Sequence, residues 1–165
     1  MNIPLGQIYL SQLELEAEAT RKCLDHLTDE VLEFKPSEKS MTLKSLAITI
    51  SEIPKWIASI VNEGDIDFAT YPRYEMKSVN DLPKHFDECM ALARKALENV
   101  SDEELMKEYS LKMKDQILST DTKKNGIDST VRHLVHHRGQ MTVYMRISGI
   151  PIPKIYGPSG DDKNW

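Results

Sequence analysis

Three of the five histidines in this 165-residue sequence fall within five positions, in the run VRHLVHHRGQ. His133 and His137 are four residues apart, a spacing that on a helix puts both imidazoles on one face within reach of a single ion. At roughly 100° per residue, Gln140 and Tyr144 lie near the same line, while His136 is turned away toward solvent or a partner. Such a pair has two readings. Either it supplies two of the three protein ligands that a catalytic zinc ordinarily takes, or both rings sit at the surface or core edge, hydrogen-bonded to neighbours. A third ligand has to come from elsewhere. His26 ends the first predicted helix, where the negative end of the dipole favours it. His85, close to Lys84 and Asp87, reads as solvent-facing. No GxSxG, Gly-rich phosphate loop or HExxH motif accompanies the pair.

The elements that must position these residues carry a helical period. A first helix is predicted from about Leu5 to Leu27, with Pro4 in a first-turn position and Leu10, Leu13, Ala17 and Leu24 on one face. TDEVLEFKPSEKS, with Pro36, reads as a loop. Thr42 is the expected N-cap of a second helix, whose stripe Leu43, Leu46, Ala47, Ile50, Ile53, Ile57, Ile60 and Val61 is strongly amphipathic. Pro54 cannot donate to the carbonyl of Ile50, so a kink or local opening is expected there. Ser78 and Asp81 form a capping-box variant before a third helix bearing Leu82, Phe86, Cys89, Met90, Ala93 and Leu97. Ser101 with Glu104 predicts one or two further turns. Tyr109–Lys124 is expected to hold a short strand or extended piece, and STDTKKNG a loop. The last helix is expected over Asp128–Ser148, stopped by Gly149 and Pro151, with a Pro- and Gly-containing tail lying irregularly over the bundle. The expected fold is therefore all-α, a four-helix bundle forming one domain over residues 1–165.

The net charge is −5, from 26 acidic and 21 basic residues. A weakly acidic chain without a basic patch is poorly suited to binding nucleic acid. No apolar run reaches the roughly 18 residues of a membrane span, and the N-terminus lacks the features of a signal peptide. Cys23 and Cys89 are isolated thiols, which fits a reducing compartment. A cytoplasmic location is the expectation.

HLVHHRGQMTVYMRISGIPIPKIYGPSGDD resembles the C-terminal signature of the DinB-like (DinB/YfiT-type) family of bacterial four-helix-bundle proteins. LEFKPSEKSMTLKSLAITISEIPKWI resembles the same family's first loop and second helix. The resemblance implies a divalent metal, zinc or nickel, held by three histidines: one on the second helix and two from the HxxxH of the last. The latter two correspond to His133 and His137. At the second-helix position this sequence has Thr49, a neutral and feeble ligand that cannot replace an imidazole. Glu52, three residues on, is either a substitute carboxylate ligand or a solvated side chain.

Two functional expectations follow. One is a degenerate, non-enzymatic member that keeps a small-molecule pocket. The other is a metal-dependent thiol transferase or hydrolase using His133, His137 and a substitute third ligand, since the resemblance implies that some members act on low-molecular-weight thiols. It also implies a homodimer. Tyr71, Tyr74, Tyr156 and Trp165 are expected to anchor loops and tail or to contribute to that contact.

Overall fold

A computed structural model describes residues 3–162. Four long or medium helices form the bundle: α1 (Leu5–Asp25), α2 (Leu43–Asn62), α3 (Leu82–Asn99) and, after the one-turn α4 (Asp102–Leu105), α5 (Lys123–Ile147). Three strands, β1 (Asp65–Asp67), β2 (Glu108–Met113) and β3 (Gln116–Thr122), form a small sheet in that order, β1 parallel and β3 antiparallel to β2. The architecture is thus mainly helical, and the all-α expectation is corrected by the sheet. The expected short strand or extended piece in Tyr109–Lys124 is a β-hairpin of β2 and β3, and Lys123 and Lys124 already belong to α5.

The helical signals in the sequence translate directly. Thr42 caps α2 by accepting from the Ser45 N–H at 3.2 Å. Ser78 and Asp81 make a complete capping box around a 3-10 turn, Val79–Asp81, that leads into α3. Ser101 caps α4, its hydroxyl accepting from the Glu104 N–H at 3.1 Å. The α2 stripe is buried along its whole length, and the helix runs on through Pro54. Pro4 stands one place earlier than expected, as the N-cap of α1.

The last helix starts five residues before its expected N-terminus. Thr122 caps it, accepting from the Asn125 N–H at 3.2 Å. Asn125 and Gly126, which read as turn residues, lie instead in the first turns of α5. Gly126 is there because the ring of Tyr109 from β2 packs against its Cα, and a Cβ would overlap that ring. Gly6 plays the same part between α1 and α3, where a Cβ would overlap the carbonyl oxygen of Leu97.

Two buried cations tie the elements together. Lys123, 5% exposed, donates to the carbonyl of Val61 at 2.7 Å and to Glu104 Oε1 at 2.6 Å, joining the end of α2, α4 and the start of α5. With Lys107 as its first partner and Lys123 as its second, the Glu104 carboxyl is held down at about 2. Arg138 of α5 is only 1% exposed. Its guanidinium donates to the main-chain carbonyl of Glu16 and to Thr20 Oγ1, each at 3.1 Å, to Glu16 Oε2 at 2.5 Å and to the Tyr156 hydroxyl at 2.8 Å. Tyr156, though 74% exposed overall, also donates from its hydroxyl to Glu16 Oε2 at 2.9 Å. Arg146 pairs with Asp161, whose carboxylate also accepts from the Ile152 N–H. The tail is thereby fastened to the bundle by side chains of α5. Trp165 lies outside the described residues.

Removing one partner of a buried charge network leaves the others unpaired in a low-dielectric setting, at a cost of about 3–5 kcal/mol. Arg138→Met should therefore lower the unfolding free energy by about that amount. Urea denaturation followed by far-UV circular dichroism measures it, and a loss below about 1 kcal/mol would show that the network is dispensable.

Candidate functional site

The helix α5 presents His133 and His137 to the same side, as the spacing requires. Their Nε2 atoms are 2.6 Å apart and their ring centroids 4.3 Å. His137 Nδ1 lies 2.8 Å from Gln140 Oε1. A carbonyl oxygen only accepts, so with the Gln140 amide in this orientation His137 carries its proton on Nδ1, and its Nε2 accepts from the Nε2–H of His133. Burial lowers the basicity of His133, and the neighbouring His137 and His136 add to that. His136 is exposed, as expected. Tyr144, by contrast, is buried and meets Phe34 edge-on at 5.8 Å.

Thr49 and Glu52 project from α2 into a cavity of about 410 Å³ walled by Ile48, Trp56, Phe68, Tyr71, Arg73 and Tyr74 among others. Glu52 is not a solvated side chain. It is 6% exposed, and its Oε1 accepts from the Tyr74 N–H at 2.8 Å. Burial pushes its carboxyl above the ordinary glutamate value, with the Tyr74 hydrogen bond and the charges of Lys55 and Arg73 opposing. His133 lines a different cavity, about 260 Å³, between the sheet and the helices, bounded by Tyr109, Leu111 and Gly126 among others. Trp56 borders both cavities, its ring 5.5 Å from that of His133.

The remaining histidines and the thiols are structural. His85 is half-buried rather than solvent-facing, because Tyr74 stacks on it at 3.7 Å and 7°, and its Nε2 lies 3.6 Å from Cys89 Sγ. Burial lowers its basicity. His26 caps α1 and faces the carbonyl of Pro151 at 2.9 Å through Nδ1. Cys23 and Cys89 are free and buried, and burial raises them to about 11 and about 12. Neither offers a thiolate at neutral pH.

Among the described residues no three or more histidine, cysteine, aspartate or glutamate side chains converge on one point. Two imidazoles that bond to each other, a neutral hydroxyl and a carboxylate engaged by a backbone N–H do not fit the three-histidine set of a divalent metal. Nothing in the sequence marked Arg73 and Phe68 as cavity wall. Arg73 and Tyr74 come from the run TYPRYEM, which lies in no helix or strand.

The chain matches the DinB family over residues 1–164. It belongs to the DinB family. A relative from Bacillus subtilis, the uncharacterized protein YrdA, is 30% identical over 159 residues, covering 93% of this chain and 89% of that protein. A crystal structure of a DinB-like protein from B. subtilis superposes with a TM-score of 0.71 at 22% identity, covering 91% of this chain and 99% of that one. Another DinB-like protein, from Bacillus cereus, gives 0.67 at 25% identity, covering 90% and 95%. In this chain the helices are accompanied by the small sheet. None of the described helices is long and apolar enough to cross a membrane.

The Glu52 carboxyl has a raised folded-state value, so its ionisation disfavours the native state. Stability from this group is present below the unfolded glutamate value and is lost as pH rises through the folded one. Glu52→Gln keeps an acceptor for the Tyr74 N–H without the charge. The variant should have a higher urea midpoint than the wild type at pH 7, and the gap should close as pH falls through the carboxylate range. A gap of the opposite sign would place the carboxylate in a net favourable environment.

Proposed function

We propose that this DinB family member is a non-enzymatic, small-molecule-binding protein whose metal site is incomplete. The observation that carries the reading is the donor set around the two cavities. The α2 position that the family resemblance assigns to a histidine holds Thr49, and the nearby carboxylate of Glu52 is buried and bonded to Tyr74. The imidazole pair is internally hydrogen-bonded, with Gln140 completing it. No activated thiol accompanies them, since both cysteines are held protonated by burial. What remains is a concave, largely aromatic cavity with a few polar groups, the ordinary form of a small-molecule site.

The close approach of the two Nε2 atoms favours a second reading, a metal-dependent thiol transferase or hydrolase that draws a third ligand from elsewhere. A resident metal would supply Lewis acidity toward bound water or thiol. In that reading, the chain's own contribution would be His133 and His137 as ligands and Gln140 as the group orienting His137.

Elemental analysis separates the two. Protein purified without an affinity metal should contain far less than one zinc, nickel or manganese per chain, and Thr49→His should raise that content toward stoichiometry. Stoichiometric metal in the wild type would overturn the first reading in favour of the second.

A further inference from the structure

The α2 cavity holds two charges of opposite sign that the bundle does not use. Glu52, nine-tenths buried, commits Oε1 to the Tyr74 N–H, while its Oε2 has no hydrogen-bond partner among the described residues. The Oε2 atom is not sealed off by the protein, so it is open to a donor that enters the cavity. Arg73 borders the same cavity from the exposed loop and forms no ion pair among the described residues. Between them the wall is apolar and aromatic, formed chiefly by Ile48, Trp56, Phe68 and Tyr71.

We propose that this cavity binds a small zwitterion of the α-amino-acid class, its ammonium on Glu52, its carboxylate on Arg73 and its apolar side chain against Trp56 and Phe68. The inference rests on the small-molecule reading above and deepens it. The charge pair selects the class. A bare cation would meet Arg73, with Lys55 close behind, its Nζ 4.9 Å over the Tyr71 ring. A bare anion would meet the Glu52 carboxylate. A zwitterion answers both charges, and both contacts are charge-assisted hydrogen bonds, about twice as strong as neutral ones. A guanidinium suits a carboxylate in particular, because its paired N–H groups match the two oxygens. The volume of about 410 Å³ limits the ligand to modest size. It lies toward the lower end of the roughly 300–1,000 Å³ span of small-molecule sites, suited to an amino acid and tight for a nucleotide.

The test is isothermal titration of the full chain, after chelator treatment, with L-phenylalanine, L-leucine, phenethylamine and 3-phenylpropionate. At least one of the two amino acids should bind, and both single-charge analogues should bind at least about tenfold more weakly than that amino acid. Glu52→Gln should weaken the amino acid about tenfold and leave 3-phenylpropionate no weaker; Arg73→Gln should weaken it similarly and leave phenethylamine no weaker. Both variants should fold, since the first keeps the Tyr74 acceptor and the second alters an exposed side chain. Thermal melts check this. No amino-acid binding at about 10 mM, or affinity indifferent to both substitutions, overturns the proposal. Metal content is read separately on untreated protein. Stoichiometric metal with charge-dependent amino-acid binding overturns the metal-free reading and upholds the zwitterion site. Metal-free protein without such binding does the reverse.

Discussion

A guanidinium stripped of water on the inner side of α5 constrains much of the bundle. Arg138 cannot shed its charge, and desolvating it is costly unless its donors are occupied. The occupants are a backbone carbonyl, a carboxylate and a hydroxyl of α1, plus a phenol from the tail. Meeting that demand fixes the rotation of α5 about its axis against α1. Because successive residues on a helix turn by roughly 100°, His137, the neighbour of Arg138, must then point to another side, together with His133. The orientation of the histidine pair is thus a by-product of burying the arginine. Lys123 performs the matching task at the other end of α5, where it donates to the Val61 carbonyl near the end of α2 and to the α4 carboxylate.

Much of this was legible before the structure. Caps at Thr42, Ser78 and Ser101 were readable because capping is local chemistry, decided within three or four residues. The α2 stripe was readable because burial imposes a period on sequence. The sheet was not. β3 is exposed along nearly its whole length, so no alternation marks it. Asn125-Gly126 mimics a turn although Gly126 is glycine for the sake of Tyr109, seventeen residues earlier, a reason that no local window contains. Glu52 looked solvated because its type is usually exposed; its burial depends on Tyr74 arriving from a distant loop. Arg138 sat unremarked inside the run that drew attention to the histidines. The YGPSGDD stretch was conspicuous for the same hidden reason, since Tyr156 and Asp161 are the partners of Arg138 and Arg146.

The candidate site divides into two compartments because Trp56 stands between them. One contains the His133 imidazole, hydroxyls and the apolar inner face of the sheet; the other contains a carboxylate, a guanidinium and four aromatic rings. On the proposed reading, Thr49 stands where an imidazole would have linked the compartments through a shared ion. The carboxylate and guanidinium would then be the strongest fields in the larger cavity and would determine which molecules it holds.

The Arg138 cluster also dictates an order of events when the chain is made. Glu16 and Tyr156 hydrogen-bond across 140 positions of sequence. Synthesis proceeds from the N-terminus at about 5–20 residues per second, and segments fold as they become available. α1 emerges first and gains Arg94 of α3 as a partner for Glu14, but Glu16 and Thr20 have no guanidinium to receive until Arg138 leaves the ribosome, and the phenol arrives later still. α1, α2 and α3 can pack meanwhile, with Glu16 and Thr20 still hydrated. Closure of this bundle is therefore a late event in the birth of the molecule, completed by its C-terminal tail.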